Sequence, residues 1–125
     1  MTIIEQQLQL LRERYAGAEA RPLANGATVI VIPAVPLPPG WNQPQTTIRF
    51  LAPIGYPMAK PDCFWADPTL RLANGGLPQA SNMNPLPGVN EPFLWFSWHV
   101  AQWNPNRDNF LTYVRVIDGR LRPPR

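Results

Sequence analysis

Two proline-anchored turns, far apart in the chain, decide the fold. The first is Gly-Tyr-Pro-Met-Ala-Lys-Pro-Asp at residues 55–62, and the second is Trp-Asn-Pro at residues 103–105. Proline fixes φ and lacks an N–H, which favours turns and excludes it from helix interiors and central strands. We therefore predict a turn between two strands at the first segment and a turn that opens a helix at the second.

An amphipathic helix is predicted over residues 2–16, well before the first turn. Thr2 and Glu5 have the spacing of a capping box, and Gly17 is predicted to end the helix. The apolar residues that recur at helical spacing on one face are Ile4, Leu8, Leu11 and Tyr15.

Three strands are predicted around the first turn. Residues 27–32 are almost all β-branched, which is typical of a strand buried on both faces. In residues 46–51, Ile48 and Phe50 alternate with polar side chains, the pattern of a half-buried antiparallel strand. Residues 62–65 follow the turn as a short third strand.

The second half of the chain is predicted to contain a long loop, an aromatic segment and a helix. Residues 74–92 lack periodicity and are rich in Asn, Gly and Pro, so they are predicted to be a loop. Residues 93–103 form the aromatic segment, and Asn106 is the predicted N-cap of the last helix. The apolar stripe of that helix is predicted to contain Phe110, Val114, Ile117 and Leu121.

The predicted order of elements is helix, three-stranded meander, loop, aromatic segment, helix. This order is typical of an α+β fold in which an antiparallel sheet is backed by helices on one side. A length of 125 residues suits one domain, which is predicted over residues 1–125 with a basic C-terminal tail over about residues 119–125.

The composition excludes several classes of function. A single cysteine and a single histidine rule out an intramolecular disulfide and a zinc site of several Cys and His, so neither a metal nor a cofactor is expected. No basic, apolar leader and no apolar run of membrane-spanning length is present, so we expect a cytoplasmic protein without membrane contact. The net charge is +3, and the basic residues are not interleaved with aromatic ones, so nucleic acid is not an expected partner.

The two turns, in this order, resemble those of the ubiquitin-conjugating enzyme (UBC) superfamily. The resemblance includes Leu-Pro-Pro-Gly at residues 37–40, Phe-Leu-Ala-Pro-Ile-Gly-Tyr-Pro at 50–57 and Pro-Asp-Cys-Phe at 61–64, and it spans nearly the whole chain. More specifically, the chain is similar to a bacterial branch called prokaryotic family E. The resemblance implies a UBC-like fold and a place in a bacterial modification pathway, with antiphage defence as one role. It also implies partners: a ubiquitin-like protein, a ThiF-type activating enzyme and a JAB-type protease.

The chain departs from the superfamily at the nucleophile. The superfamily's distance back from Trp103 leads to Trp95, where the catalytic cysteine would stand. Ser97 follows two residues later, and His99, the only histidine, two residues after that, so on a strand their side chains share a face. Because a serine hydroxyl does not ionise alone, it needs a base such as histidine within hydrogen-bond reach. One hypothesis therefore has Ser97 carry the ubiquitin-like protein as an oxyester, with His99 as its base.

The superfamily's His-Pro-Asn motif has only loose counterparts here. Its asparagine stabilises the developing oxyanion of the acyl group. In this chain, Asn84 before Pro85, or Asn90 ahead of Pro92, is the candidate for that role.

Three alternatives stay open. In the first, Cys63 is the nucleophile, since a thiol is partly ionised near neutral pH, although a lone cysteine in an apolar strand is usually packing. In the second, the domain is catalytically inactive and positions the ubiquitin-like protein or its activating enzyme, with exposed tryptophans as anchors. In the third, the polyproline stretch at residues 36–39 makes the protein an adaptor without any link to ubiquitin.

Overall fold

The computed structural model describes all 125 residues, which form a six-stranded sheet and two helices. In chain order the elements are α1 (Ile3–Arg12), β1 (Glu19–Pro22), β2 (Thr28–Pro36), β3 (Gln45–Ala52), β4 (Phe64–Ala66), β5 (Ser81–Pro85), β6 (Pro92–Phe96) and α2 (Phe110–Leu121). The strands lie in the order β1-β2-β3-β4-β6-β5, and every neighbouring pair is antiparallel. The predicted α+β class with an N-terminal and a C-terminal helix is confirmed, and the architecture is consistent with a UBC-like fold.

Helix α1 begins at the capping box that the sequence predicts. The Glu5 N–H donates to Thr2 Oγ1 at 3.1 Å, and the Thr2 N–H donates to the Glu5 carboxylate at 3.4 Å. The helix ends at Arg12, four residues earlier than predicted. The Arg12 Nε–H donates to the Ala18 carbonyl at 2.7 Å, across the turns that lead into β1.

Strands β2, β3 and β4 form the predicted meander, with two corrections at its ends. β2 continues past Pro33 to Pro36, because a register shift between Ile32 and Val35 accommodates the proline as a bulge. β4 begins at Phe64 instead of residue 62, because Cys63 has a φ of +59°, outside the strand conformation.

The sheet contains three more strands than predicted. β5 lies inside residues 74–92, so the prediction of a continuous loop there was wrong. Its sequence, Ser-Asn-Met-Asn-Pro, has no apolar alternation, yet it pairs residue by residue with β6, from Ser81 opposite Phe96 to Pro85 opposite Pro92. This edge strand is formed by backbone hydrogen bonds to β6. Such bonds leave no periodic pattern of side chains in the sequence, so the strand could not be predicted from it.

Both helices pack on the same face of the sheet. The large side chains buried there come from both helices and from the inner strands: Leu11, Ile30, Ile32, Ile48, Phe50, Phe64, Leu94, Phe96, Phe110 and Tyr113. A smaller cluster of Val29, Val31, Trp65 and Leu86 covers part of the opposite face. Neither helix has the length and apolar character that crossing a membrane requires.

The two proline-anchored turns meet in space, as the fold prediction requires. The rings of Tyr56 and Trp103 lie 6.0 Å apart, and the Trp103 indole N–H donates to the Pro57 carbonyl at 2.8 Å. Gln7 of α1 joins the same corner, because its Oε1 accepts from the Tyr56 hydroxyl and from the Phe110 N–H. This corner therefore connects both helices to the turn between β3 and β4.

Helix α2 starts three residues later than predicted. Its N-cap is Asn109, whose side chain accepts from the Thr112 N–H at 3.0 Å, and not Asn106. The predicted apolar stripe is confirmed, since all four of its members are buried. Arg120, which the sequence suggests for the basic tail, lies inside α2 at 1% exposure, with its guanidinium over the ring of Phe96.

Candidate functional site

The segment after β6 passes directly beside the residues that precede β4. The Cys63 N–H donates to the Trp98 carbonyl at 2.9 Å, which ties the two segments together. From the helix-covered face of the sheet, the buried hydroxyl of Tyr113 in α2 donates to the Cys63 carbonyl at 2.7 Å. One hydrogen bond at the N–H and one at the carbonyl of Cys63 therefore hold its backbone in the left-handed conformation that non-glycine residues rarely adopt.

Three reactive side chains converge at this junction. His99 Nδ1 and Asp62 Oδ1 lie 2.5 Å apart. A carboxylate oxygen of Asp62, the Cys63 sulfur and a ring nitrogen of His99 all lie within 4.8 Å of one another. We call these residues the Asp62–Cys63–His99 cluster. Its histidine and aspartate side chains are exposed, at 61% and 55%, whereas Cys63 is buried at 8%.

The environment of Cys63 disfavours ionisation of its thiol. Burial is the main cause that raises the pKa of the Cys63 thiol, and the negative charge of Asp62 raises it further. The backbone of Trp98 and the indole of Trp95 lie beside the sulfur and partly oppose that rise. A thiol in this state needs a base to become a nucleophile.

Asp62 holds the imidazole of His99 through Nδ1. When the carboxylate accepts a hydrogen bond from Nδ1–H, the lone pair of Nε2 is left free to take a proton. A nucleophile, a histidine base and a carboxylate that orients the base form the usual arrangement for nucleophilic catalysis. The cluster has all three kinds of side chain.

Ser97, the nucleophile in the sequence hypothesis, lies at the end of β6. Its backbone N–H donates to the Ala80 carbonyl at 2.8 Å, and the residue is half-buried. His99 hydrogen-bonds to Asp62 and makes no hydrogen bond with Ser97. The structure therefore brings the predicted base to a different set of partners.

The two asparagines proposed as carbonyl polarisers lie toward the other end of β6. Asn84 pairs with Phe93, at the start of that strand, and Asn90 is exposed in the connection between β5 and β6. His99 follows the far end of β6, beyond Phe96. Since a strand rises about 3.3 Å per residue, Phe93 and Phe96 alone are about 10 Å apart. Neither asparagine is brought to the cluster.

Trp95 occupies the position at which the superfamily resemblance calls for a cysteine. It lies in the middle of β6, opposite Trp65 of β4, and its indole lies beside the Cys63 thiol. The sulfur of Cys63 thus lies beside the indole that stands at the superfamily's nucleophile position, although Cys63 comes from the segment before β4.

Sequence reasoning missed Asp62 as a site residue. It follows the Tyr-Pro turn and precedes the only cysteine, which is the one signal that marks it. Its partner His99 is 37 residues away in the chain, a separation that no local pattern connects. The largest surface cleft, about 490 Å³ between the ends of the helices and the β2 bulge, is lined by none of the cluster residues.

Comparison with known families agrees with the fold and with the resemblance. The sequence model described as prokaryotic E2 family E matches residues 4–123. A search of curated proteins and a search of solved structures gave no match. Families of this E2-like kind act with ubiquitin-like proteins and their activating enzymes. Because the match spans nearly the whole chain, the protein belongs to prokaryotic E2 family E, and its role is ubiquitin-conjugating-like.

Proposed function

We propose that this domain accepts a ubiquitin-like protein from a ThiF-type activating enzyme as a thioester on Cys63. The observation that carries the proposal is the Asp62–Cys63–His99 cluster, in which a thiol, an imidazole and a carboxylate lie within 4.8 Å. Trp95 supports it, since the indole at the superfamily's nucleophile position lies beside the Cys63 sulfur. The restrained, left-handed backbone of Cys63 is also typical of functional positions.

The transfer exchanges one thioester for another. His99 takes the proton of the Cys63 thiol, and the sulfur attacks the carbonyl carbon of the ubiquitin-like protein's C-terminus. A bond forms between that carbon and the Cys63 sulfur, and the bond to the activating enzyme's cysteine sulfur breaks. The proton on His99 then passes to the departing thiolate. In this scheme Asp62 holds the imidazole in the tautomer that accepts the proton.

Ser97 is the second candidate for the acyl group. It lies two residues from His99, and none of the hydrogen bonds of the structure uses its hydroxyl, which leaves that group free to react. An oxyester on Ser97 would need His99 Nε2, or another base, within hydrogen-bond reach of the Ser97 hydroxyl, and His99 makes no such hydrogen bond. Asn84 and Asn90 would then need a movement of the segment between β5 and β6 to reach the acyl carbonyl. For these reasons we place Ser97 after Cys63.

A catalytically inactive binding module is the alternative function. The low exposure of Cys63, 8%, favours it, because a partner's C-terminus must reach the sulfur for transfer to occur. In this case the domain positions the ubiquitin-like protein or the activating enzyme without an ester intermediate. A JAB-type protease of the same pathway is a further proposed partner in either case.

Reconstitution of the first transfer step tests these proposals. The purified domain is freed of bound metal with a chelator, which is then removed, and is mixed with the activating enzyme, ATP, Mg²⁺ and the ubiquitin-like protein. The products are examined by mass spectrometry. We expect a covalent adduct that thiol reductant cleaves. Cys63→Ala should abolish it, and Ser97→Ala should leave it in place.

The other outcomes separate the alternatives. An adduct that resists reductant, yields to mild hydroxide and disappears in Ser97→Ala contradicts the thioester and supports the oxyester. No adduct, together with co-purification of the domain with the activating enzyme, contradicts both esters and supports the binding module.

A further inference from the structure

The donor atoms of the Asp62–Cys63–His99 cluster also match the preferences of a metal ion. We infer that the cluster is a binding site for a divalent cation of the zinc type. Thiolate, imidazole and carboxylate are the three ligand classes that zinc uses in proteins. Hard cations such as Mg²⁺ and Ca²⁺ select oxygen-only sites, so the sulfur and nitrogen of this cluster disfavour them. The inference does not depend on the proposed acyl transfer, and the two uses of the cluster alternate, because a bound ion occupies the thiolate and the imidazole that the transfer needs.

The spacing of the donor atoms is close to what a tetrahedral site needs. Zinc–ligand distances of about 2.0–2.3 Å place neighbouring ligand atoms about 3.3–3.6 Å apart. In the structure, the Asp62–His99 pair is closer, at 2.5 Å, and the widest separation in the cluster is within 4.8 Å. Both separations differ from the tetrahedral spacing by about 1 Å.

The side chains that must adjust are the ones free to do so. Asp62 and His99 are more than half exposed, so their rotation displaces no core side chain. Cys63 is the restrained member, because its N–H bonds to Trp98 and its carbonyl accepts from Tyr113. The site thus has one ligand held by the fold and two exposed ligands whose side chains have room to rotate toward the ion.

Three protein ligands leave the fourth position of a tetrahedral ion open to water or to a ligand from outside. On binding, the Cys63 thiol loses its proton to solvent, and the ion takes the place of the hydrogen bond between Asp62 and His99. The sequence-based expectation that no metal binds counted only cysteine and histidine. It did not include a carboxylate as the third ligand.

Cobalt(II) titration of the isolated domain tests the inference without any partner protein or ATP. Untagged, chelator-treated protein is titrated with Co²⁺ under reducing, oxygen-free conditions, and the absorbance is followed. We expect a sulfur-to-cobalt charge-transfer band in the near ultraviolet and the intense visible bands of tetrahedral cobalt. An equivalent of Zn²⁺ should remove both, since zinc binds such sites more tightly.

Variants identify the ligands. Cys63→Ser should lose the charge-transfer band, and Asp62→Asn and His99→Ala should each weaken Co²⁺ binding by more than about tenfold. Glu91→Gln, which changes an exposed carboxylate away from the cluster, is the matched control and should bind as the wild type does. Circular dichroism confirms that each variant is folded. The two exposed positions keep the test decisive if Cys63→Ser does not fold.

The inference is wrong if the wild-type protein shows no charge-transfer band. It is also wrong if Asp62→Asn or His99→Ala binds Co²⁺ within about threefold of the wild type, since the ion would then lie elsewhere.

Discussion

At the scale of single residues, the pairing of His99 with Asp62 matters most, because it gives the only histidine a carboxylate partner. We predict that Asp62→Asn slows transfer of the ubiquitin-like protein to the domain by at least about tenfold, since an amide does not hold the base tautomer of His99. The exposed pair stabilises the fold by at most about 1 kcal/mol. Single-turnover kinetics measure the first effect, and chemical denaturation measures the second.

The conservative variant Asp62→Glu provides the control for this prediction. It keeps the charge and should recover part of the rate. A rate for Asp62→Asn equal to that of the wild type would remove Asp62 from the mechanism. If Asp62→Asn instead lowers the free energy of unfolding enough to account for the slower transfer, the role of Asp62 is structural.

At the scale of elements, the start of α2 is the place where the sequence pattern and the structure indicate different N-cap residues. Asn106 and Asn109 are both plausible caps by residue type, but only Asn109 accepts from the Thr112 N–H. We therefore predict that Asn109→Ala lowers the free energy of unfolding by about 1 kcal/mol. Asn106→Ala should change it by less than about 0.5 kcal/mol. Urea denaturation of the two variants decides, and equal losses would contradict the assignment of the cap.

At the scale of the whole molecule, Gln7 joins three parts of the chain that are distant in sequence. Its buried Oε1 accepts from the Tyr56 hydroxyl and from the Phe110 N–H, and so connects α1, the Tyr-Pro turn and α2. Gln7→Met leaves both donors buried without a partner, and each such group costs about 1–3 kcal/mol. We predict a loss of about 2–4 kcal/mol in the free energy of unfolding.

Gln9→Met is the matched control for Gln7, because residue 9 is exposed on the same helix and makes no side-chain hydrogen bond. It should unfold at the same urea concentration as the wild type. A Gln7→Met variant as stable as Gln9→Met would show that the corner holds together by apolar packing alone.

The sequence by itself determined the class of fold, the two helices, the meander and the family. Those features depend on local signals, namely proline at Pro57 and Pro105, the apolar stripe of α2 and the alternation in β3. Such signals involve residues close together in the chain and can be read from the sequence. Only the tertiary structure decided the edge strand β5 and the partners of His99. β5 depends on backbone pairing with β6. Asp62 reaches His99 across 37 residues because antiparallel pairing puts the segment before β4 and the segment after β6 at the same end of the two strands. Contacts made by folding, and not by neighbours in the chain, therefore set the candidate chemistry of this protein.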